Sequence, residues 1–194
     1  SDVAELRYGA FPLNLTKNEK RNISEYVPVW HPENCIQCGQ CSLACPHAVI
    51  RTFIDKKKNG GIPLLGNDEY EFSVKISCED CTGCASCTAV CPGKNGQKAL
   101  TMEKNTKHED VKNYFEDYEN PKIIDKYTIK GSQMEKPLFE FSGACAGCGE
   151  TPYIKLLTQI IGRRLVIANA TGCSSIYGGS APATPYLIPW ANSL

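Results

Sequence analysis

Four cysteines at Cys35, Cys38, Cys41 and Cys45, closed by Pro46, return 46 residues later as Cys81, Cys84, Cys87 and Cys91, closed by Pro92. A chain that must place eight thiols in two equal patterns has little freedom left. Intervals of three force tight loops, the interval of four allows a single helical turn, and each proline ends that turn. The two runs are one motif used twice.

This spacing is that of bacterial two-cluster ferredoxins, in which the fourth cysteine of each run ligates the other run's cluster. The crossing rule assigns one [4Fe–4S] cluster to Cys35, Cys38, Cys41 and Cys91, and the other to Cys81, Cys84, Cys87 and Cys45. Such interleaving ties the two halves together, and cluster binding supplies folding energy that a small core cannot. Zinc usually takes separated Cys-x-x-Cys pairs and fits these runs poorly. Disulfides fit no better, because cysteines three apart are awkward partners and twelve in 194 residues, about 6%, fall below the density of a disulfide scaffold. Cys78 precedes Cys81 by the same interval of three, but only the register from Cys81 reproduces the first run. Cys78 is therefore read as a small apolar residue at a strand end.

Composition limits the partners. Lysine plus arginine equal aspartate plus glutamate at 21 each, so no net basic field recruits nucleic acid. No stretch of eighteen apolar residues appears and the first residues lack a signal-peptide core, which gives the expectation of a chain without a membrane span, in a reducing cytoplasmic compartment. Residue 1 is not methionine, and the chain reads as a piece of something longer.

In chain order, residues 1–30 read as an N-terminal arm, with Lys17–Arg21 as a charged patch and Val27–Pro32 as an extended approach on which Trp30 covers apolar surface. His31 and His108 read as solvated histidines. Residues 31–104 form the ferredoxin-like domain, with a short helix over 41–45, a strand or packed turn over 48–54, a loop over 56–63 and a half-buried strand over 71–76. Gly39 lets the backbone approach a cluster closely. Lys56–Lys58 read as solvated loop, with a small part in steering an acidic carrier left open. Residues 105–137 are a polar linker.

A second module, residues 138–194, opens with a strand at 138–141 running into a glycine-rich turn. Thr151 caps a helix with Pro152 at its first position, and Tyr153–Ile161 has the apolar density of a packed helix, closed by Gly162. Residues 164–170 read as a continuous apolar strand of a parallel sheet. The following loop lies where open α/β sheets bind ligands, so Cys145, Cys148 and Cys173 are expected on one side of that sheet. A redox disulfide remains the rival for the Cys145/Cys148 pair.

The paired motif, together with Leu138–Tyr153 (LFEFSGACAGCGETPY), Ala168–Tyr177 (ANATGCSSIY) and residues 180–186 (SAPATPY), resembles the pyruvate:ferredoxin (flavodoxin) oxidoreductases. The resemblance implies an α+β two-cluster ferredoxin-like domain followed by the beginning of an α/β thiamine-diphosphate-binding domain. It implies an anaerobic enzyme that converts pyruvate and coenzyme A to acetyl-CoA and carbon dioxide and hands electrons to ferredoxin or flavodoxin. It further implies a third cluster ligated by Cys145, Cys148 and Cys173 with its fourth ligand elsewhere, thiamine diphosphate and Mg²⁺ in the full enzyme, Glu150, Thr171 and Ser174 near the thiamine pocket, and a homo-oligomer. The family's Gly-Asp-Gly motif is not matched, so this chain alone is expected not to catalyse and to need further domains or subunits. The family has a longer loop near residues 187–190. A non-catalytic electron carrier and an oxidoreductase for another 2-oxoacid are the alternatives.

Overall fold

A computed structural model describes residues 12–56, 60–106, 111–179 and 184–192. The strands are β1 (Tyr26–Trp30), β2 (Ile50–Asp55), β3 (Ile62–Leu64), β4 (Asn67–Ile76), β5 (Leu100–Lys104), β6 (Ile167–Asn169) and β7 (Trp190–Asn192). The helices are α1 (Gln40–Ala44), α2 (Ser86–Val90), α3 (Lys112–Glu116), α4 (Ile129–Ser132), α5 (Thr151–Ile161) and α6 (Cys173–Gly178). Among the described residues no helix is long and apolar enough to cross a membrane.

The repeat in the sequence is a repeat in the backbone. Gln37 and Gly39 have φ of 59° and 76°, and their counterparts Gly83 and Ala85 have φ of 68° and 60°. Each loop therefore turns left-handed twice before its helix starts. Glycine, the residue most at ease there, occupies the second turn of the first loop and the first turn of the second. Since Ala85 holds the place of Gly39, the motif requires a left-handed turn at that point rather than a missing side chain. Cys45 and Cys91 then end α1 and α2 in matching extended conformations, with φ/ψ of −71°/115° and −69°/115°.

Two sheets pack around this pair. β2, β4 and β3 form an antiparallel sheet in that order, with Ile50 opposite Ile76 and Ile54 opposite Phe72. Its apolar face joins Val27, Leu100, Met134 and Phe141 in the larger core. β1 pairs antiparallel with β5, Trp30 opposite Leu100. The end of the expected arm is thus an integral strand of the ferredoxin-like unit, because β5 pairs with it along its whole length. The expected linker is packed as well: Tyr114, Phe115 and Tyr118 surround Phe53, with ring centroids at 5.4, 6.1 and 4.7 Å. The expected loop at 56–63 ends in β3, while Lys57, Lys58 and His108 lie outside the described residues. Lys56 Nζ lies over the Tyr70 ring, 5.4 Å from its centroid.

The second module is less regular than its apolar pattern suggests. Residues 138–141 make one bridge, Phe139 to Tyr186, and no strand. The strand expected over 164–170 shrinks to β6, which pairs in parallel with β7 after a 3₁₀ turn at Gly162–Arg164. Helix α5 begins one residue earlier than expected, with Glu150 at the cap position. Its orientation is the larger departure: Thr151, Lys155, Thr158 and Gln159 are buried, whereas Tyr153 and Leu157 are exposed. The polar stripe of this helix faces the ferredoxin-like unit because that unit offers it carbonyls and amides to bond.

Gly93, just after the second motif, is tightly constrained. Its φ is 62°, and a Cβ built on it would lie 1.9 Å from the Gln97 carbonyl oxygen. Gly93→Ala should destabilise the holoprotein by about 2 to 4 kcal/mol, adding left-handed strain to an overpacked turn. A lowered denaturant midpoint with unchanged slope is the expected result, and an unchanged midpoint refutes it.

Candidate metal centres

The eight motif cysteines fall into two sets in space. One cavity is lined by Cys35, Cys38, Cys41 and Cys91, with Trp30, Phe72 and Leu100 closing it. The other is lined by Cys45, Cys81, Cys84 and Cys87, with His47, Val49 and Thr82. Each fourth cysteine has crossed to the other run's cavity, because α1 and α2 pack together and carry Cys45 and Cys91 in opposite directions.

Electrostatics couples the thiols mainly within each set, with a weaker link across from Cys87 to Cys41. Burial pushes the Cys81 and Cys87 thiols up to about 12, and Cys45 and Cys84 are among the neighbours that raise them further. Burial likewise raises Cys41, with Cys35 and Cys38 next in effect, and Cys91 is among the groups that raise Cys35. Clustered buried thiols resist ionisation, so a bound metal must supply the positive charge that displaces their protons.

The donors around these cavities suit an iron–sulfur cluster. The Gln37 and Gly83 backbone N–H groups, equivalent in the repeat, donate to Cys35 Sγ and Cys81 Sγ, each at 3.4 Å. Trp30 Nε1 on the first cavity and Thr82 Oγ1 on the second are buried without a hydrogen-bond partner. Buried donors of this kind call for acceptors, and cluster sulfurs are acceptors. Among the described residues no three His, Cys, Asp or Glu side chains converge as a site for a single metal ion. The thiols surround a space instead, unlike zinc ligands drawn to about 2.3 Å of one ion.

Cys78 lines neither cavity, although it is the weakest of the groups that raise the Cys81 thiol. It begins the 3₁₀ turn Cys78–Asp80 and lines a separate cleft with Lys20, Glu79 and Phe141.

Cys145 and Cys148 share one turn, in which Cys148 N–H donates to the Cys145 carbonyl at 3.0 Å. Within it, a Cβ on Gly147 would lie 3.6 Å from Cys84 Cβ, so the turn rests against the second cavity. His47 anchors the approach: its Nδ1 is 3.1 Å from the Ser142 carbonyl oxygen, and its own carbonyl accepts from Phe141 N–H at 2.9 Å. Burial lowers the His47 pKa to about 4 and keeps the ring neutral. Cys173 lies in the first turn of α6, four residues before Tyr177, and is exposed. Tyr177 in turn lies near Cys148 and Glu150: burial first, then the Glu150 carboxylate, raises its hydroxyl pKa. Glu150 and Thr171 are exposed, and the Ser174 carbonyl accepts from Asn169 Nδ2 at 3.2 Å.

Sequence reasoning passed over His47 and Lys155. His47 follows the Cys-Pro terminator directly, which marks it as a neighbour of the second cavity. Lys155 carries a weaker signal, a lone charge within an apolar helix. Its ammonium is wholly buried and donates to the Ser42, Leu43 and Cys45 carbonyls, the last two at 3.3 Å. Burial lowers its pKa to about 8, Cys45 opposes that shift and Arg51 adds to it.

Two crossed four-thiol cavities define a ferredoxin-type dicluster unit joined to a smaller α/β module, and residues 34–95 match the family model described as a 4Fe-4S dicluster domain. Over 96% of its length the chain is 50% identical to the pyruvate:ferredoxin oxidoreductase of Moorella thermoacetica and 44% identical to the probable pyruvate-flavodoxin oxidoreductase of Escherichia coli K12. It is 42% identical, again over 96% of its length, to the mitochondrial pyruvate dehydrogenase [NADP(+)] of Euglena gracilis. The chain belongs to the pyruvate:ferredoxin (flavodoxin) oxidoreductase family. It spans 18% of the length of the first two relatives and 11% of the third. The alignment with the Moorella protein runs to 208 positions, more than the 194 residues here, so that relative carries residues this chain lacks within the matched stretch.

Proposed function

We propose that this chain is the electron-carrying segment of a cytoplasmic, homo-oligomeric enzyme that oxidatively decarboxylates pyruvate with coenzyme A to acetyl-CoA and carbon dioxide. Clusters held by Cys35, Cys38, Cys41 and Cys91, and by Cys81, Cys84, Cys87 and Cys45, would supply one-electron transfer toward ferredoxin or flavodoxin. Cys145, Cys148 and Cys173 are assigned to a third cluster whose fourth ligand lies elsewhere. Glu150, Thr171 and Ser174 are assigned to the edge of a thiamine-diphosphate and Mg²⁺ site completed by other parts of the enzyme.

The observation that carries this reading is the seating of the Cys145–Cys148 turn against Cys84. A free-standing carrier has no use for a second cysteine turn packed on its cluster cavity, whereas a relay between a reaction centre and an exit requires one. The named acceptors of the relatives differ while this stretch stays similar, which favours an internal conduit over the choice of final acceptor.

The test is anaerobic addition of 2-oxoacids to the full-length enzyme. Pyruvate with coenzyme A should bleach the iron–sulfur chromophore, and 2-oxoglutarate should not. Bleaching by 2-oxoglutarate alone reassigns the substrate. Clusters that no 2-oxoacid reduces, yet reduced ferredoxin does, leave only an electron carrier.

A further inference from the structure

Lys155 is 2% exposed, and among the described residues no carboxylate forms an ion pair with it. A buried ammonium without a counter-charge is costly. The negative charge nearest to it is that of Cys45 and Cys41, one from each cavity, once they are thiolates bound to a cluster, while its cationic neighbour Arg51 repels it. Its hydrogen bonds run to the carbonyls that end α1, between those two cysteines. The site is also braced. Ser42 Oγ donates to Gln133 Oε1 at 2.9 Å, and Gln133 Nε2 donates at 3.1 Å to Gln159 Oε1, one turn beyond Lys155 on α5.

We propose that Lys155 is a positioning residue whose fixed positive charge serves both thiol cavities at once and favours the reduced state of each cluster. The proposal rests on the cluster assignment above. Reduction places one electron on a cluster, supplied in the titration by dithionite; no bond forms or breaks and Lys155 keeps its proton. The added negative charge is then met by an ammonium already in place and shielded from water, where charges interact far more strongly than in solution. Because Lys155 belongs to the second module, that module sets the potentials of clusters it does not ligate.

The experiment is a potentiometric EPR titration of the full-length enzyme with Lys155→Met, Lys155→Gln and Lys155→Arg. Met and Gln should each weaken the reduced state of both dicluster-unit couples at least tenfold, a shift of 59 mV or more to negative potential for one electron. Arg should stay near the wild type. Iron retained in all variants with unmoved potentials overturns the proposal, as does an Arg variant shifted as far as Met. Iron lost from Met and Gln but kept by Arg upholds a required cation, and iron lost from all three overturns it in favour of shape alone. The cluster assignment itself fails separately, if the wild-type enzyme lacks the two dicluster-unit EPR signals.

Discussion

Cys91→Ser is expected to abolish the cluster bound by the first run while leaving the cluster bound by the second run's other cysteines. Cys91 stands at the end of α2, whose sequence neighbours Cys84 and Cys87 line the opposite cavity. Its own side chain lines the cavity of Cys35, Cys38 and Cys41. Loss of one ligand of four should cost about four irons per chain and one EPR signal. Cys35→Ser should remove that same signal, and Cys45→Ser and Cys81→Ser should remove the other. If Cys91→Ser and Cys81→Ser instead depleted one common signal, the crossed assignment would be wrong. Cys78→Ala should keep both signals, since Cys78 opens onto a different cleft.

The grouping of the eight thiols, which the two cavities repeat, was legible in the sequence because the 46-residue offset marks the runs as one motif and the ferredoxin rule exchanges their fourth cysteines. Pairings made across long distances were not. β1 contains Pro28 and is separated from β5 by two complete motifs, so its extended character was readable and its partner was not. Helix α5 shows a different failure. Its apolar density correctly marked a helix, but the buried stripe is Thr151, Lys155, Thr158 and Gln159. Periodicity ranks faces by hydrophobicity, and it loses to a neighbour that offers three helix-end carbonyls and the Gln133 amide. The strand expected after it is short for a related reason: Val166 is 74% exposed, so the apolar run lacks the cover on both faces that a parallel strand needs.

The junction between the two units supplies the second large effect. Arg51 on β2 pairs with Glu140 of the second module, and both side chains are buried, at 6% and 5% exposure. Arg51 Nε donates to the Ala48 carbonyl at 3.0 Å, and its guanidinium lies 4.0 Å from the centre of the Phe115 ring. Glu140 is fixed by its backbone: its N–H donates to the Pro185 carbonyl at 3.1 Å, and its carbonyl accepts from Thr16 Oγ1 at 2.9 Å. One ion pair therefore joins the N-terminal segment, the central sheet, the former linker and the second module. Glu140→Leu leaves Arg51 buried with carbonyls and aromatic faces but no counter-charge, and Arg51→Met strands the carboxylate. Each single change should cost about 3 to 5 kcal/mol, read as a lower denaturant midpoint of the holoprotein. The double variant should regain most of that loss, because an apolar pair of similar volume avoids the desolvation cost of both charges. A double variant as unstable as the sum of the singles would show that these side chains act independently, and would remove the ion pair as the joint between the units.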